Sequence, residues 1–209
     1  MTQQAKTDFT KVLDGYRARS GDFRVVDVPD LTYLAVDGRG DPNTQAFADA
    51  VETIYPVAYA LKFASKGLGR DYVVPPLEGL WWADDMETFT VARDKSRWSW
   101  TLLNLLPEWL DPSAIAAAVG KVASKRRPSR LDDLRLEALS EGLCLQTLHV
   151  GSFDDEGPVL DRLHDEVVPS HAFRMTGRHH EIYLSDFRRV PPERRRTILR
   201  QPVLRLASP

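Results

Sequence analysis

Two glutamates stand among large aromatic side chains: Glu78 in Leu77-Glu78-Gly79-Leu80-Trp81-Trp82, and Glu181 in His180-Glu181-Ile182-Tyr183-Leu184. A carboxyl group enclosed by rings loses water, which disfavours its charged form and raises its pKa. Such a group holds a cation, or takes and gives protons near neutral pH. For one strand glutamate, solvent exposure or pairing with an arginine is the simpler account; two in comparable settings favour a site. Side chains alternate across a strand. Glu78, Leu80 and Trp82 therefore share a face opposite Gly79 and Trp81, and Glu181 and Tyr183 share one opposite His180 and Ile182. Trp98, Trp100 and Leu102 align in the same way. The candidates are Glu181 and Glu78 for catalysis, and Trp82, Trp100, Tyr183, Tyr55, Leu80 and Trp98 for holding a ligand. The five tryptophans equally suit a core, and Trp81 is assigned there.

These side chains need strands and helices to carry them. Residues 23–28 and Leu31 to Gly38 read as strands, rich in apolar and β-branched residues. A turn follows, with Asn43 or Thr44 as a helix cap. Phe47, Val51, Ile54, Ala58 and Leu61 then mark one face of an amphipathic helix. Pro56 lies inside that pattern and predicts a kink or break. Residues 71–82 read as extended, with a short strand predicted over Thr88–Ala92 and another over Trp98–Leu106. Helices are predicted over residues 115–124, 130–138 and 158–173. Strands are predicted over 143–151 and around Glu181–Leu184, and the tail closes with Pro191-Pro192, a basic helical turn and residues 197–203.

The chain also resembles itself. Gly38 precedes Pro56 by 18 residues, and Gly151 precedes Pro169 by 18. At that offset Asp41 meets Asp154, Phe47 meets Leu160 and Ile54 meets Val167. The match is imperfect, because the first half carries ten extra residues before its glutamate. The expectation is an α+β fold of duplicated βαββ modules with pseudo-twofold symmetry and a ligand groove between two antiparallel sheets. Residues 1–22 form a polar lead-in. Residues 23–209 form the domain, with repeat one about 23–110, a connector about 111–140 and repeat two about 141–204.

Composition narrows the partners. A net charge of −2 gives no electrostatic case for nucleic acid or an anionic membrane. The clusters Arg188-Arg189 and Arg194-Arg195-Arg196 read as a solvated face. No apolar run approaches the roughly 20 residues of a membrane span, and the first residues lack a signal peptide's apolar core. The single cysteine, Cys144, fits a reducing cytoplasm. His179-His180-Glu181 looks metal-like, but strand neighbours point apart and no second cluster has ligand spacing. No metal or cofactor is expected. The partner is a small aromatic molecule, and the internal duplication favours a monomer.

The segments LTYLAVDGRGDPN, LEGLWW, WSWTLLNLLPEWL and HHEIYLSDFRRVPPERRRTILRQPV resemble the GyrI-like family, and most closely its stand-alone members. The resemblance covers most of residues 23–203 and implies a duplicated strand–helix–strand–strand fold. It also implies an acidic residue deep in an aromatic pocket that meets hydrophobic, often cationic drugs. That role falls on Glu181, with Glu78 as counterpart. Some stand-alone members resemble hydrolases that open the strained cyclopropane of DNA-alkylating natural products, so that activity is expected here. Trp82, Trp100, Tyr55 and Tyr183 would sandwich the rings. One glutamate would deprotonate water; the other, or a tyrosine, would protonate the developing phenolate, with the two roles exchangeable. A sequestering pocket and a topoisomerase-inhibitor-like interaction module are the alternatives. No helix-turn-helix is recognisable, which argues against a regulator.

Overall fold

In the computed structural model, residues 6–85 and 94–207 are described. The strand predicted over Thr88–Ala92 lies outside them. Apolar and β-branched residues build β1 (Arg24–Val28) and β2 (Leu31–Arg39). The later strands are β3 (Leu77–Trp82), β4 (Ser99–Leu106), β5 (Arg135–Leu139), β6 (Gly142–Val150), β7 (Phe173–Met175), β8 (His179–Tyr183) and β9 (Arg196–Arg205). A short α1 (Phe9–Val12) precedes them; α2 (Gln45–Gly67) follows β2, and α3 (Pro112–Lys125) follows β4. After β6, α4 (Gly157–Asp161) runs through a π-helical stretch (Arg162–Val167) into α5 (Val168–Ser170).

The strands join in the order β1-β6-β9-β8-β3-β4-β2-β5, with β7 added to β9, and each pairing is antiparallel. The fold is therefore α+β, as the sequence predicts. The sequence also predicts a groove between two sheets. Instead β3 and β8 hydrogen-bond directly and fuse the halves into one sheet, so any groove lies on a face of that sheet. Fusion satisfies the backbone groups that two free central edges would leave exposed.

One face carries the helices. Phe47, Val51 and Ile54 of α2 pack on Val36, Leu77, Trp81, Trp100, Leu102 and Tyr183. Further along α2, Val57, Ala58 and Leu61 pack against Ile115, Ala118 and Val122 of α3. The N-terminal segment covers the other face, where Tyr16 packs with Leu80, Leu103, Ile182 and Ile198. The polar lead-in is thus part of the core.

Two local expectations need correction. α2 is one 23-residue helix running through Pro56, so the helix does not break there. Pro56 and Glu52, whose carbonyl loses its helical donor, are both exposed, so water can replace that bond. The predicted helix over residues 130–138 is a 3₁₀ turn (Leu131–Asp133) followed by strand β5. The edge of β2 supplies β5 with a ladder, and Arg135 reaches the Asp37 carboxylate at 2.9 Å.

Candidate active site on the helix-bearing face

Register decides which side chains meet. Across β3 and β8, Glu78 lies opposite Ile182, Gly79 opposite Glu181, and Leu77 opposite Tyr183. Directly opposed residues point to the same side of a sheet. Glu181, Tyr183, His179, Gly79 and Trp81 therefore face the helices, whereas Glu78, Leu80, His180 and Ile182 face the N-terminal segment. The structure does not bring Glu78 and Glu181 together. A shift of one residue in register exchanges faces, and in this register the residue opposite Glu181 is Gly79.

Gly79 matters because it has no side chain. A Cβ there would lie 2.8 Å from the Tyr183 hydroxyl and 2.9 Å from Trp81 Nε1. In the space left open, Trp81 Nε1 donates to the Tyr183 hydroxyl at 2.9 Å, and that hydroxyl donates to Glu181 Oε2 at 2.9 Å. Trp81, assigned to the core from sequence, thus packs in the core and also anchors the site. Burial pushes the Glu181 carboxyl up to about 7, and the Tyr183 hydrogen bond opposes this only in part. The Tyr183 hydroxyl itself is raised well above its usual range by burial and by Glu181, so it remains a donor.

Further polar groups crowd this face, of which only His179 stands out in the sequence. His179 Nε2 lies 3.8 Å from Glu181 Oε1, too far to hydrogen-bond, and burial lowers its pKa to about 3, leaving the ring neutral. Neither ring nitrogen of His179 has a hydrogen-bond partner among the described residues, and Glu156 Oε1, Thr197 Oγ1 and His164 Nε2 share that condition. Each unpaired buried group costs roughly 1–3 kcal/mol, so the region gains by taking a hydrogen-bonding guest. Alternation from Glu181 was a signal for His179; nothing local signalled Glu156 or Thr197.

The aromatic candidates divide. Tyr183 and Tyr55 line one open cleft of about 750 Å³ with Leu77, Phe187 and Arg188, and Tyr183 connects that cleft to Glu181. A second cleft of about 790 Å³ runs between α2 and the end of α3, lined by Tyr59, Phe63 and Lys125, and does not include Tyr183. Phe153 meets Tyr183 edge-on at 5.6 Å. Trp98 is half-buried and edge-on to Trp81 at 5.9 Å. Trp100 is 0% exposed and fills the space above Gly38, so no face of it is available for stacking. Leu80 and Trp82 lie on the opposite face, where Arg178 covers the Trp82 ring at 3.7 Å.

On that opposite face Glu78, 1% exposed, accepts a hydrogen bond from Tyr16 and lies 2.9 Å from His180 Nε2. His180 Nδ1 is 2.9 Å from Glu141, whose other oxygen accepts from Arg200 at 2.8 Å. Burial alone would lower the His180 pKa, but Glu141 and Glu78 lift it to about 9. Burial likewise raises Glu141, yet His180 and Arg200 outweigh it and hold the carboxyl at about 2. This is a closed set of compensated charges. Among the described residues no group of three histidine, cysteine or acidic side chains is arranged to hold a metal ion, and no helix is long and apolar enough to cross a membrane.

Known proteins share this arrangement of elements. A crystal structure of an uncharacterized conserved protein from Listeria innocua is 33% identical, with a TM-score of 0.86 over 95% of this chain and 100% of that one. A hydrolase from Listeria innocua is 32% identical, with a TM-score of 0.85 over 96% and 100%. The EcmrR C-terminal domain, 9% identical, shares the fold with a TM-score of 0.55 over 88% of this chain and 98% of that domain. No curated protein matches the sequence. The GyrI-like small molecule binding domain matches residues 21–203, nearly the whole chain, and the protein belongs to that family.

Proposed function

We propose that this protein binds flat aromatic small molecules at the Glu181 site and hydrolyses the strained cyclopropane of electrophilic, DNA-alkylating natural products. The observation that carries this reading is Glu181: a carboxyl with 12% of its side chain exposed, pushed up to about 7 by loss of water and oriented by the Trp81-to-Tyr183 hydrogen-bond relay. A base poised near the working pH, held in one geometry, suits proton abstraction from water. The similarity to a Listeria hydrolase supports catalysis over binding alone. Tyr183, Tyr55 and Trp98 supply aromatic walls. Glu78 acts at a distance, by fixing His180 and hence the strand that carries Glu181.

The step is an addition of water. Ionised Glu181 takes a proton as the water oxygen bonds to the cyclopropane methylene. The adjacent C–C bond breaks, and its electron pair passes into a conjugated dienone, whose oxygen becomes a phenolate and then takes a proton. The low net charge and single buried cysteine support a cytoplasmic protein acting on a small molecule without nucleic acid or membrane. The internally paired sheet halves support a monomer.

The test is turnover of a spirocyclopropane alkylating compound, followed by mass spectrometry of the hydrated product. Glu181→Gln is expected to slow it by about 10²–10⁴-fold, while Glu78→Gln keeps most of the activity of its folded fraction. Unchanged turnover in Glu181→Gln overturns the assignment. Tight binding without product by the wild type leaves a sequestering protein.

A further inference from the structure

A second carboxyl group lies on the same face as Glu181. Glu156 ends the acidic run Asp154-Asp155-Glu156 at the start of α4. Its neighbours have ordinary surface roles: Asp154 pairs with Lys95 at 2.9 Å, and Asp155 accepts from Ser152 at 2.6 Å. Glu156 instead turns inward, 4% exposed, and its Oε1 has no hydrogen-bond partner among the described residues. The neighbouring hydroxyl, Thr197 Oγ1, is also buried and makes no hydrogen bond of ordinary length and angle among the described residues, although it lies near enough to the Glu156 carboxyl to favour its ionised form. In the sheet Thr197 lies directly opposite Tyr183, the residue that holds Glu181. Phe153, three residues before Glu156, packs its ring against that same Tyr183. An inward carboxyl with a free oxygen, beside the residue that orients the base, is placed to meet a guest at the Glu181 site.

We propose that Glu156 is the general acid of this site, donating a proton to the substrate oxygen that gains charge when water, deprotonated by Glu181, adds. The proposal rests on the Glu181 reading above. Two carboxyl groups that feel each other's charge do not readily ionise together. Burial, and then the charge of Glu181, push Glu156 well above the usual carboxylate range, with the Thr197 hydroxyl opposing this only in part. Glu181 therefore ionises first, at about 7, while Glu156 keeps its proton. Each turnover leaves Glu181 protonated and Glu156 ionised. Transfer of one proton from Glu181 back to Glu156 restores the pair, and the net change is water added to substrate.

The experiment uses a series of spirocyclopropane dienones graded by the acidity of the phenol they release. A weakly acidic phenol needs the proton; a strongly acidic one leaves without it. Glu156→Gln is expected to slow the least acidic member by about 10²–10⁴-fold, approach the wild-type rate for the most acidic, and lose the fall of rate at high pH. Glu156→Asp, which keeps a proton to give, is expected to recover part of that rate and the high-pH fall. Glu181→Gln is expected to be slow across the whole series. A Glu156→Gln variant that is equally slow throughout, or unimpaired throughout, overturns the acid role and leaves Glu181 standing. Full activity in Glu181→Gln, or no turnover by the wild type, overturns both.

Discussion

His180 and Glu181 are adjacent on β8 and face opposite environments. His180 sits among charges that compensate it: Glu78 and Glu141 each approach to 2.9 Å, and Arg200 balances Glu141 from the other side. Among the described residues Glu181 meets no positively charged side chain at ion-pair distance. It receives one hydrogen bond from Tyr183 and stands near a neutral histidine and a second carboxyl. On the first face, ionisation is locked in, with a carboxyl at about 2 and an imidazole at about 9. On the second, the carboxyl titrates at about 7. Compensated charges make a stable floor, whereas uncompensated groups make a site whose protons can move.

The sharpest way to break this contrast is to remove the centre of the compensated face. His180→Ala leaves two buried carboxylates without their shared cation and is expected to cost about 3–5 kcal/mol of stability, read from urea unfolding. A loss under about 1 kcal/mol would mean that the network is not closed.

The opposite change is expected at the neighbouring residue. The folded-state pKa of Glu181 is raised from 4.5 to about 7, so its contribution to stability is fully present below 4.5 and is lost as pH rises through about 7. Glu181→Gln removes that loss, and the variant is expected to be more stable than wild type at pH 8, by up to about 3 kcal/mol, while losing activity. Its thermal midpoint measured against pH should diverge from that of wild type only above about pH 5. The compensated face behaves differently: Glu141 stabilises above 4.5 and loses this as pH falls through about 2, and His180 stabilises below 6.5 and loses this as pH rises through about 9.

The smallest effect sharpens the link between relay and base. Tyr183→Phe removes the hydrogen bond that pulls the Glu181 pKa down. The pH at which activity reaches half its plateau should move upward from about 7, and stability should fall by about 1–2 kcal/mol. A midpoint that stays still would show that Tyr183 packs against Glu181 without tuning it.

Much of the fold was legible because it rests on local periodicity. The Val51–Ile54–Ala58–Leu61 stripe marked α2, and runs of apolar and β-branched residues marked β2, β4 and β6. Residues 130–138 misled because a short polar stretch fits a helix or an edge strand, and only the waiting edge of β2 decides. Pro56 misled because its cost depends on whether the released carbonyl reaches water. In the site, Glu181 and Tyr183 were legible as a pair two residues apart on one strand. Trp100 was misread because a ring packed on Gly38 cannot be told from a ring in a pocket by residue type. Glu156 was not singled out, because an acid at a helix start is ordinarily a solvated carboxylate and nothing in the sequence shows it turning inward.

The sequence by itself determined which side chains on one element share a face: Glu181 with His179 and Tyr183, and Glu78 with Leu80 and Trp82. That follows from the two-residue repeat of a strand and needs no partner. Only the tertiary structure decided how those sets combine. The register of β3 on β8 put Gly79, not Glu78, opposite Glu181, and so sent the two glutamates to opposite faces. The fold of residues far along the chain then gave Glu78 its histidine and tyrosine, and turned Glu156 inward beside Thr197. The physical reason is that pairing register and burial are set by contacts distant in sequence, and one residue of slip exchanges every side chain between faces.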